Sequence, residues 1–477
     1  MSQQPEGTHR RTVLSAVAVA AAGAGLAGHT AQTAHAAPAP GGGDGGGTPP
    51  TAQPPGRELR ALLREIDQDR IEATVRKLAS FGTRHTLSSQ DDPERGIGAA
   101  RDWIHAQMTR YAAASGGRMT VEKQSYVQEP ASRIPVATRI TNVVATLRGS
   151  VAPERVYVVS GHYDSRASDV MDATSDAPGA DDDASGVAVA MELARVMATR
   201  RTAATVVFAA VAGEEQGLYG AGHMAELFAS ADTDVRGMFT NDIVGSSTAD
   251  DGTRDPRTLR LFAEGVPTSE TPEEADIRRS VGGENDSPSR QLARFVRDVA
   301  SNTATGMNVR VIYRRDRYLR GGDHIPFLEQ GFPAARFTEP AEDYAHQHQD
   351  VRVEDGKQYG DLPEFCDFGY ITRVARVNGA ALWTLAQAPG TPRGAKIVTT
   401  ALTNSTELVW DRGTEPDLAG YEVVWRETTA PEWEHVIAVG DVTRHTVDLS
   451  KDNVFFGVRA VNHAGNRSPV AFPAPQR

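Results

Sequence analysis

Short apolar runs alternate along residues 57–388 with segments whose apolar residues recur at helical spacing. The runs are rich in Val, Ile and Phe, which is typical of strands buried on both faces of a sheet. Helices between such strands cover the two faces. The pattern therefore predicts an α/β fold with a mixed, mostly parallel central sheet and helices on both faces. The predicted strands are residues 156–160, 204–212, 237–242, 309–313 and 334–337, and the predicted helices are 185–200, 218–230 and 362–387.

Further features refine this sheet. Residues 121–126 and 138–147 are expected to pair as an antiparallel hairpin at one edge. Ser287 followed by Pro288 predicts a helix start, because serine caps free amide groups and proline fits the first helical turn. Residues 250–285 are polar and rich in Thr, Arg and Glu, so we expect a surface insertion there instead of core.

After a short linker at residues 389–393, residues 394–477 contain short alternating strands separated by turn residues. This spacing predicts a small all-β sandwich. Trp410, residues 421–425 and residues 456–462, followed by the turn at 465–468, resemble a fibronectin type III domain. On a strand, Tyr421, Val423 and Trp425 would share one face.

The first 56 residues have the pattern of a targeting signal followed by a spacer. Arg10 and Arg11 precede an apolar stretch and an Ala-His-Ala cleavage pattern at 34–36, which resembles a twin-arginine signal peptide over residues 1–36. The apolar stretch is too short for a membrane span, so no stable membrane anchor is expected. Residues 37–56 are rich in Gly and Pro and predict a flexible linker. We therefore expect a secreted, extracellular protein, exported by the twin-arginine route.

Composition excludes several classes of protein. Lys and Arg number 50 and Asp and Glu 62, so the formal net charge is −12. This acidic balance argues against a nucleic-acid partner, which would require a basic face. The single cysteine, Cys366, excludes an intramolecular disulfide framework and a cysteine-rich zinc module. Any metal must therefore be bound by His, Asp and Glu.

Histidine and acidic residues recur where the predicted strands end. In open α/β sheets the carboxyl ends of the strands form the crevice that binds ligands, so these side chains are expected to converge. Carboxylates and imidazoles suit zinc, and two zinc ions can share one carboxylate and one water molecule. A further histidine is expected downstream to complete the second metal, and the best candidate lies in residues 346–350. The residues in question are His162, Asp164, Asp181, Asp182, Asp183, Glu214, Glu215 and Asp242.

The motifs at 161–165, 177–186, 214–220 and 323–324 resemble those of the secreted di-zinc aminopeptidases of metallopeptidase family twenty-eight. The similarity spans about residues 142–350. It implies two Zn²⁺ per chain, with a metal-bridging hydroxide as the nucleophile and Glu214 as the general base. The implied ligands are His162 and Asp242 for one zinc, Glu215 and His346 for the other, and Asp182 as the bridge.

The resemblance also implies supporting residues. Asp164 would orient His162, as metal-bound imidazoles require, and Asp323 and His324 would lie near the pocket, His324 without a zinc role. Glu339 is a candidate for recognising a substrate amine, together with Glu342 and Asp343.

The chain departs from the family pattern near the last histidine. The family has a tyrosine directly before that histidine, whereas here Ala345 intervenes and Tyr344 lies one place earlier. His348 is then a competing ligand. His346 is preferred because it keeps the family's His-x-x-x-Asp spacing to Asp350.

The sequence thus predicts an exported zinc exopeptidase that removes N-terminal residues from peptides or proteins with a free N-terminus. Three alternatives stay open. A glutaminyl cyclase would use one zinc on the same fold. A carboxypeptidase on this scaffold would bind a substrate carboxylate through Arg315, Arg317 or Arg320. A non-catalytic adhesion module would have no use for Glu214.

Overall fold

The computed structural model describes residues 46–400 and 402–476. Its helices are α1 (Arg57–Glu65), α2 (Gln68–Ala79), α3 (Ile97–Ala113), α4 (Ser185–Ala198), α5 (Glu214–Gly217), α6 (Tyr219–Ser230), α7 (Pro272–Val281), α8 (Pro288–Ala300), α9 (His324–Glu329) and α10 (Phe368–Gln387). Its first ten strands are β1 (Met119–Gln128), β2 (Thr138–Leu147), β3 (Ala152–His162), β4 (Ala204–Val211), β5 (Asp234–Asn241), β6 (Thr258–Phe262), β7 (Asn308–Ile312), β8 (Ala334–Thr338), β9 (Arg352–Glu354) and β10 (Lys357–Tyr359).

Eight strands form the central sheet, in the order β1-β2-β4-β3-β5-β8-β6-β7. The pairs β3–β4, β3–β5, β5–β8 and β6–β7 are parallel, whereas β1–β2, β2–β4 and β6–β8 are antiparallel. The predicted mixed, mostly parallel sheet is therefore confirmed, with the expected hairpin at one edge. The carboxyl ends of β3, β4, β5 and β8 meet at the same edge of the sheet.

Successive side chains of the central strands enter two separate hydrophobic cores. Tyr157 and Val159 pack under α4 and α10, whereas Val156 and Val158 pack against α6 and α9. This alternation explains why the middle of β3, Val156 to Val159, is an unbroken run of Val and Tyr. The sheet is therefore held rigidly from both sides, and its edge is a stable platform for a site.

The predicted helices and strands differ from the structure in two places. Residues 250–285 are not only a surface insertion, because β6 lies inside the sheet between β8 and β7. The last helix begins at Phe368 instead of residue 362, since Asp367 accepts a hydrogen bond from the Tyr370 amide and caps it. Ser287 caps α8 as expected, accepting from the Arg290 amide.

The remaining strands form two small sheets at the C-terminus. One has the order β15-β12-β11-β17 and the other β14-β13-β16. Tyr421, Val423 and Trp425 share the buried face of β13, as predicted, and pack with Trp410 between the sheets. The strands are β11 (Lys396–Val398), β12 (Thr406–Val409), β13 (Leu418–Glu427), β14 (His435–Gly440), β15 (Arg444–Val447), β16 (Val454–Asn462) and β17 (Ala474–Gln476).

The C-terminal sheets contact the segment before α1. Thr48 pairs with Val436 through two backbone hydrogen bonds, and the Trp425 indole donates to the Gly46 carbonyl at 3.1 Å. Gly46 and Thr48 are therefore hydrogen-bonded to the C-terminal sheets, although the side chains of residues 46–56 are mostly exposed.

The predicted signal peptide at residues 1–36 lies outside the described residues. In the part of the chain that the structure describes, no helix is long and apolar enough to cross a membrane.

Candidate metal centre

Four acidic or histidine residues reach one point above the sheet edge because each follows a strand or opens a helix there. His162 ends β3, and Asp242 directly follows β5. Asp182 lies in the irregular turn 180–184 that leads into α4, and Glu215 lies in α5, just after β4. The convergence expected from parallel strand ends is thus observed.

Asp182 lies between two imidazoles. Its Oδ1 is 3.0 Å from His162 Nε2, and its Oδ2 is 2.8 Å from His348 Nε2. His348 Nε2 is also 2.9 Å from Glu215 Oε1. One carboxylate therefore faces two ligand sets at once, which is the arrangement of a bridging ligand.

His346 is not part of this arrangement, which corrects the prediction. Its Nδ1 lies 2.8 Å from Asp343 Oδ2, and its ring stacks on Phe365 at 3.6 Å between centroids. His348 takes the predicted place because its backbone adopts a left-handed conformation with φ of 54°. In this local turn the side chain of His348 lies against Asp182. The sequence spacing to Asp350 does not reveal such a turn.

Glu214 and Asp242 complete the other half of the centre. Ligand atoms of His162, Glu214 and Asp242 lie within 4.8 Å of one another, and so do those of His162, Asp182 and Glu215. Asp242 Oδ1 is 3.9 Å from His162 Nε2. Glu214 thus lies beside the ligand atoms, where a base could reach a water molecule.

Buried carboxylates hold the backbone of the centre in place. Asp164 accepts hydrogen bonds from the amides of Glu214 at 3.3 Å and Glu215 at 3.1 Å, and its Oδ1 is 3.6 Å from His162 Nδ1. The His162 ring also has its Nδ1 3.2 Å from the Asp164 carbonyl. Asp164 therefore lies where it was predicted to orient His162, and it also fixes the start of α5.

The turn that carries Asp182 has its own supports, one of which, Asp361, the sequence did not single out. Asp361 accepts hydrogen bonds from the amides of Asp181 and Asp182, each at 2.8 Å. Asp183 accepts from the amides of His162 and Gly186 and so joins β3 to the first turn of α4. Asp361 follows no predicted strand, so no sequence signal pointed to it.

Burial and neighbouring charges both shift the pKa values of the residues of the centre. Burial opposes ionisation of Asp182, but His348 and His162 hold the pKa of Asp182 well below its usual range. Burial lowers the pKa of His348, yet the carboxylates of Glu215 and Asp182 outweigh it and raise the pKa to about 10. For Glu214, burial raises the pKa well above its usual range, and Asp242 and Glu215 add to the rise.

An arginine beside Asp242 was also missed. Arg336 on β8 is completely buried, and its Nη2 lies 2.7 Å from Asp242 Oδ1. Its Nη1 donates to the Gly321 carbonyl at 2.7 Å and lies 3.6 Å from Asp316 Oδ2. Strand β8 looks apolar in the sequence, so the arginine within it gave no site signal.

The structure places the predicted pocket residues in different surroundings. Asp323 is fully buried, neither of its carboxylate oxygens has a hydrogen-bond partner among the described residues, and burial raises its pKa to about 7. His324 donates from Nε2 to the Arg315 carbonyl, away from the ligand atoms. Tyr344 is 58% exposed and lines the mouth of the cleft. Glu339 is fully buried beneath the turn, accepting from the Ser246 amide, so its predicted place in the pocket is wrong.

Comparison with known proteins places these residues in a family. The model of peptidase family M28 matches residues 142–355, a segment that contains all the residues of the centre. A probable zinc metalloprotease of Leptosphaeria maculans is 59% identical over 421 residues, covering 88% of this chain and 98% of the relative. The chain belongs to peptidase family M28. A probable zinc metalloprotease of Pyricularia oryzae is 56% identical over 431 residues, covering 89% of this chain and 86% of the relative.

Solved structures resemble this M28 chain at much lower identity. The LapA aminopeptidase of Legionella pneumophila is 19% identical, with a TM-score of 0.49, over 69% of this chain and 74% of that one. The glutaminyl cyclase of Porphyromonas gingivalis is 16% identical, with a TM-score of 0.44, over 66% of this chain and 97% of that one.

The M28 centre opens into a cleft of about 670 Å³. Within the described residues, all the acidic residues lining it belong to the centre, and the basic residues lining it are His348 and four arginines from three separate segments. The acidic residues are Asp182, Glu214, Glu215 and Asp242, and the arginines are Arg133, Arg166, Arg317 and Arg320.

The residues of the centre fit a divalent metal. The buried Nε2 of His162 has no hydrogen bond within the described part of the chain and points at carboxylate oxygens. The carboxylates draw positive charge to both imidazoles, as the raised pKa values of His162 and His348 show. A metal ion would supply that charge in place of the protons. The donor set of imidazole nitrogen and carboxylate oxygen, without thiolate, suits zinc.

Proposed function

We propose that this M28 peptidase is a zinc-dependent aminopeptidase that hydrolyses N-terminal residues from peptides. The observation that carries the proposal is the position of Asp182 between His162 and His348, with Glu214 beside the ligand atoms. The relatives named as probable zinc metalloproteases support zinc as the metal. His162 and Asp242 would hold one ion and Glu215 and His348 the other, with Asp182 bridging.

Two zinc ions bound there would provide a water molecule of lowered pKa and an electrophile for the peptide carbonyl. Glu214 would accept the proton of the attacking water and pass it to the leaving amine. Its raised pKa suits this exchange, because a base that also serves as an acid should have a pKa nearer neutrality than a free glutamate. Asp164 would keep Glu214 in reach through the hydrogen bond from its amide.

Recognition of a free amine falls on the carboxylates of the centre. Glu342 contacts Arg320 at 2.6 Å, Asp343 contacts His346 at 2.8 Å, and Glu339 is buried away from the cleft. Within the described residues, every carboxylate that lines the cleft belongs to the centre, so a substrate amine would be bound by these carboxylates.

The test combines metal analysis with hydrolysis of free-amine, N-acetylated and N-terminal Gln peptides. We expect about two zinc ions per chain, release of the first residue from free-amine peptides, and no cleavage of acetylated ones. Glu214→Gln should lose roughly 10²- to 10⁴-fold in kcat while retaining zinc, because only the proton transfer is removed. Equal cleavage of acetylated and free peptides would contradict the aminopeptidase proposal. One zinc with cyclisation of Gln would favour a glutaminyl cyclase.

One observation favours a second candidate function. Arg317 and Arg320 line the cleft and could bind a terminal carboxylate, as a carboxypeptidase requires. Release of C-terminal residues from an N-acetylated peptide, abolished by amidation of its C-terminus, would establish this alternative.

We also propose that the protein is exported and that residues 394–477 form a fibronectin type III-like sandwich. Arg10 and Arg11 before an apolar stretch support export by the twin-arginine route. Replacement of both arginines by lysine should retain the protein in the cytoplasm, as cell fractionation would show. The two small sheets around Trp410 support the sandwich. An experimental structure of the whole protein in which these two sheets pack face to face would support the sandwich.

A further inference from the structure

The cleft is unusually rich in arginine for a site that would bind cationic metals and a cationic amine. Its four arginines come from three separate segments. Arg133 contacts α5 through the Glu215 carbonyl, whereas Arg317 donates to the Gly321 carbonyl, which also accepts from Arg336, the partner of Asp242. A substrate seated over the centre therefore meets guanidinium groups from more than one segment.

Arg133 and Arg166 are not neutralised by acids in the described part of the chain. Arg133 donates from Nη1 to the Glu215 carbonyl at 3.0 Å, and Arg166 donates to the carbonyls of Ala167 and Ser168. Neither forms an ion pair within residues 46–400 and 402–476. Backbone carbonyls thus orient these side chains and leave their charges free for an anion.

Arg317 and Arg320 share their acids with two further arginines, Arg260 and Arg336. Glu342 lies 2.6 Å from Arg320, 3.4 Å from Arg317 and 3.5 Å from Arg260. Asp316 lies 3.2 Å from Arg317 and 3.6 Å from Arg336. Four guanidinium groups thus surround two carboxylates. Asp242 also contacts Arg336, but metal binding would engage the charge of Asp242.

The centre needs at most one of the four arginine charges for balance. Resting on the proposed function, two zinc ions would carry four positive charges, against four negative charges from the carboxylates that line the cleft and one from a bridging hydroxide. The centre therefore neutralises at most one of the four arginines. Guanidinium groups bind carboxylates through paired hydrogen bonds, and a cleft with a low-dielectric wall concentrates their field.

We propose that this peptidase selects substrates that present a carboxylate next to the cleaved bond, and that Arg133, Arg166, Arg317 and Arg320 determine this specificity. The carboxylate has two sources, an acidic side chain or the free C-terminus of a very short peptide. Both would be bound by the same guanidinium groups, with Glu342 positioning Arg317 and Arg320.

The first experiment measures binding without turnover. Zinc-loaded Glu214→Gln protein is titrated by calorimetry with Glu-Ala-Ala-Leu-amide and with its isostere Gln-Ala-Ala-Leu-amide, which isolates the side chain. Ala-Ala and Ala-Ala-amide isolate the terminal carboxylate. We expect the acidic member of at least one pair to bind roughly 10- to 100-fold more tightly, which is typical of hydrogen bonds to a charged group. This preference should decrease as salt is raised.

The second experiment removes the charges one at a time. In the active protein, Arg166→Gln and Arg320→Gln should raise KM for the preferred acidic peptide by about tenfold or more, with little change for the neutral isostere. The matched control is Arg148→Gln. Arg148 is an exposed arginine directly after β2, at the opposite edge of the sheet from the cleft, and this variant should keep the preference. Circular dichroism spectra equal to wild type exclude misfolding as the cause.

The outcomes separate this inference from the proposed function. Equal affinity within both peptide pairs, or a preference that survives both arginine variants, would overturn the inference even if zinc-dependent hydrolysis of neutral peptides is observed. Absence of hydrolysis of every peptide would refute the proposed function, while the titration of Glu214→Gln protein would still decide whether the cleft selects carboxylates.

Discussion

The two histidines near the end of the catalytic part offer a direct test of the centre. His348 lies 2.8 Å from Asp182 and 2.9 Å from Glu215, whereas His346 stacks on Phe365. His348→Gln should weaken zinc binding by more than about 100-fold, because loss of even an outer partner of a ligand costs about 10- to 100-fold. His346→Gln is the matched control and should retain zinc. Chelator competition measures both affinities, and zinc loss in the His346 variant alone would contradict this assignment.

The pH dependence of zinc binding follows from the same histidine. Burial lowers the pKa of His348, but Glu215 and Asp182 raise it to about 10, so the metal-free protein is protonated there at neutral pH. Zinc must displace that proton, so the apparent affinity should fall as the pH is lowered, by roughly tenfold per unit for each proton released. Zinc dissociation constants at pH 6, 7 and 8 test this. An affinity constant across that range would contradict the protonated ground state of His348.

Single residues also show which parts of the site could be predicted from the sequence and which could not. His162, Asp182, Glu214, Glu215 and Asp242 could be picked out because each lies at a strand end or a helix start, where topology alone brings side chains together. The choice between His346 and His348 depended on a local turn, and Arg336 and Asp361 act through contacts across the sheet edge. Such contacts depend on three-dimensional packing, which periodicity does not encode.

The junction between β3 and α4 determines how closely the elements of the centre approach one another. A Cβ at Gly161 would lie 2.3 Å from the backbone carbon of Gly186, so the strand and helix touch through glycine. Gly161→Ala should lower the free energy of unfolding by about 1–3 kcal/mol, as overpacking does, and should also displace His162. Gly222→Ala in α6 is the control. Nothing lies within 4 Å of its added Cβ, so this variant should gain about 0.5–1 kcal/mol. Urea denaturation measures both, and an unaltered midpoint for Gly161→Ala would contradict the tight junction.

Elements were predicted well where one signal dominated. Continuous apolar runs identified β3, β4, β5 and β8 because those strands are buried on both faces. Strand β6 was not predicted because it has only five residues within a polar segment. Its pairing with β8 and β7 stabilises it as a strand in spite of the polar residues around it. The start of α10 was placed too early because a separate 3-10 helix, Pro363–Phe365, precedes the cap at Asp367.

At the scale of the whole molecule, a buried ion-pair network joins the catalytic part to the C-terminal sheets. Asp286, directly before the capping serine of α8, lies 2.8 Å from Arg294 and 2.7 Å from Arg426 of β13. All three side chains are almost completely buried. Trp433, in the turn between β13 and β14, donates to Gln291 of α8 at 3.1 Å. The C-terminal sheets therefore pack against α8 as part of the folded core, which composition and strand spacing did not foretell.

Breaking this network should destabilise the molecule as a unit. Asp286→Asn leaves two buried guanidinium groups without their anion, and loss of one partner of a buried pair costs about 3–5 kcal/mol. Asp441→Asn is the control, because Asp441 pairs with Arg412 at the surface, where no change beyond experimental error is expected. Urea denaturation followed by tryptophan fluorescence and by far-ultraviolet circular dichroism measures both variants. If Asp286→Asn unfolds at the wild-type midpoint by both probes, the two parts fold independently and the interface contributes little to stability.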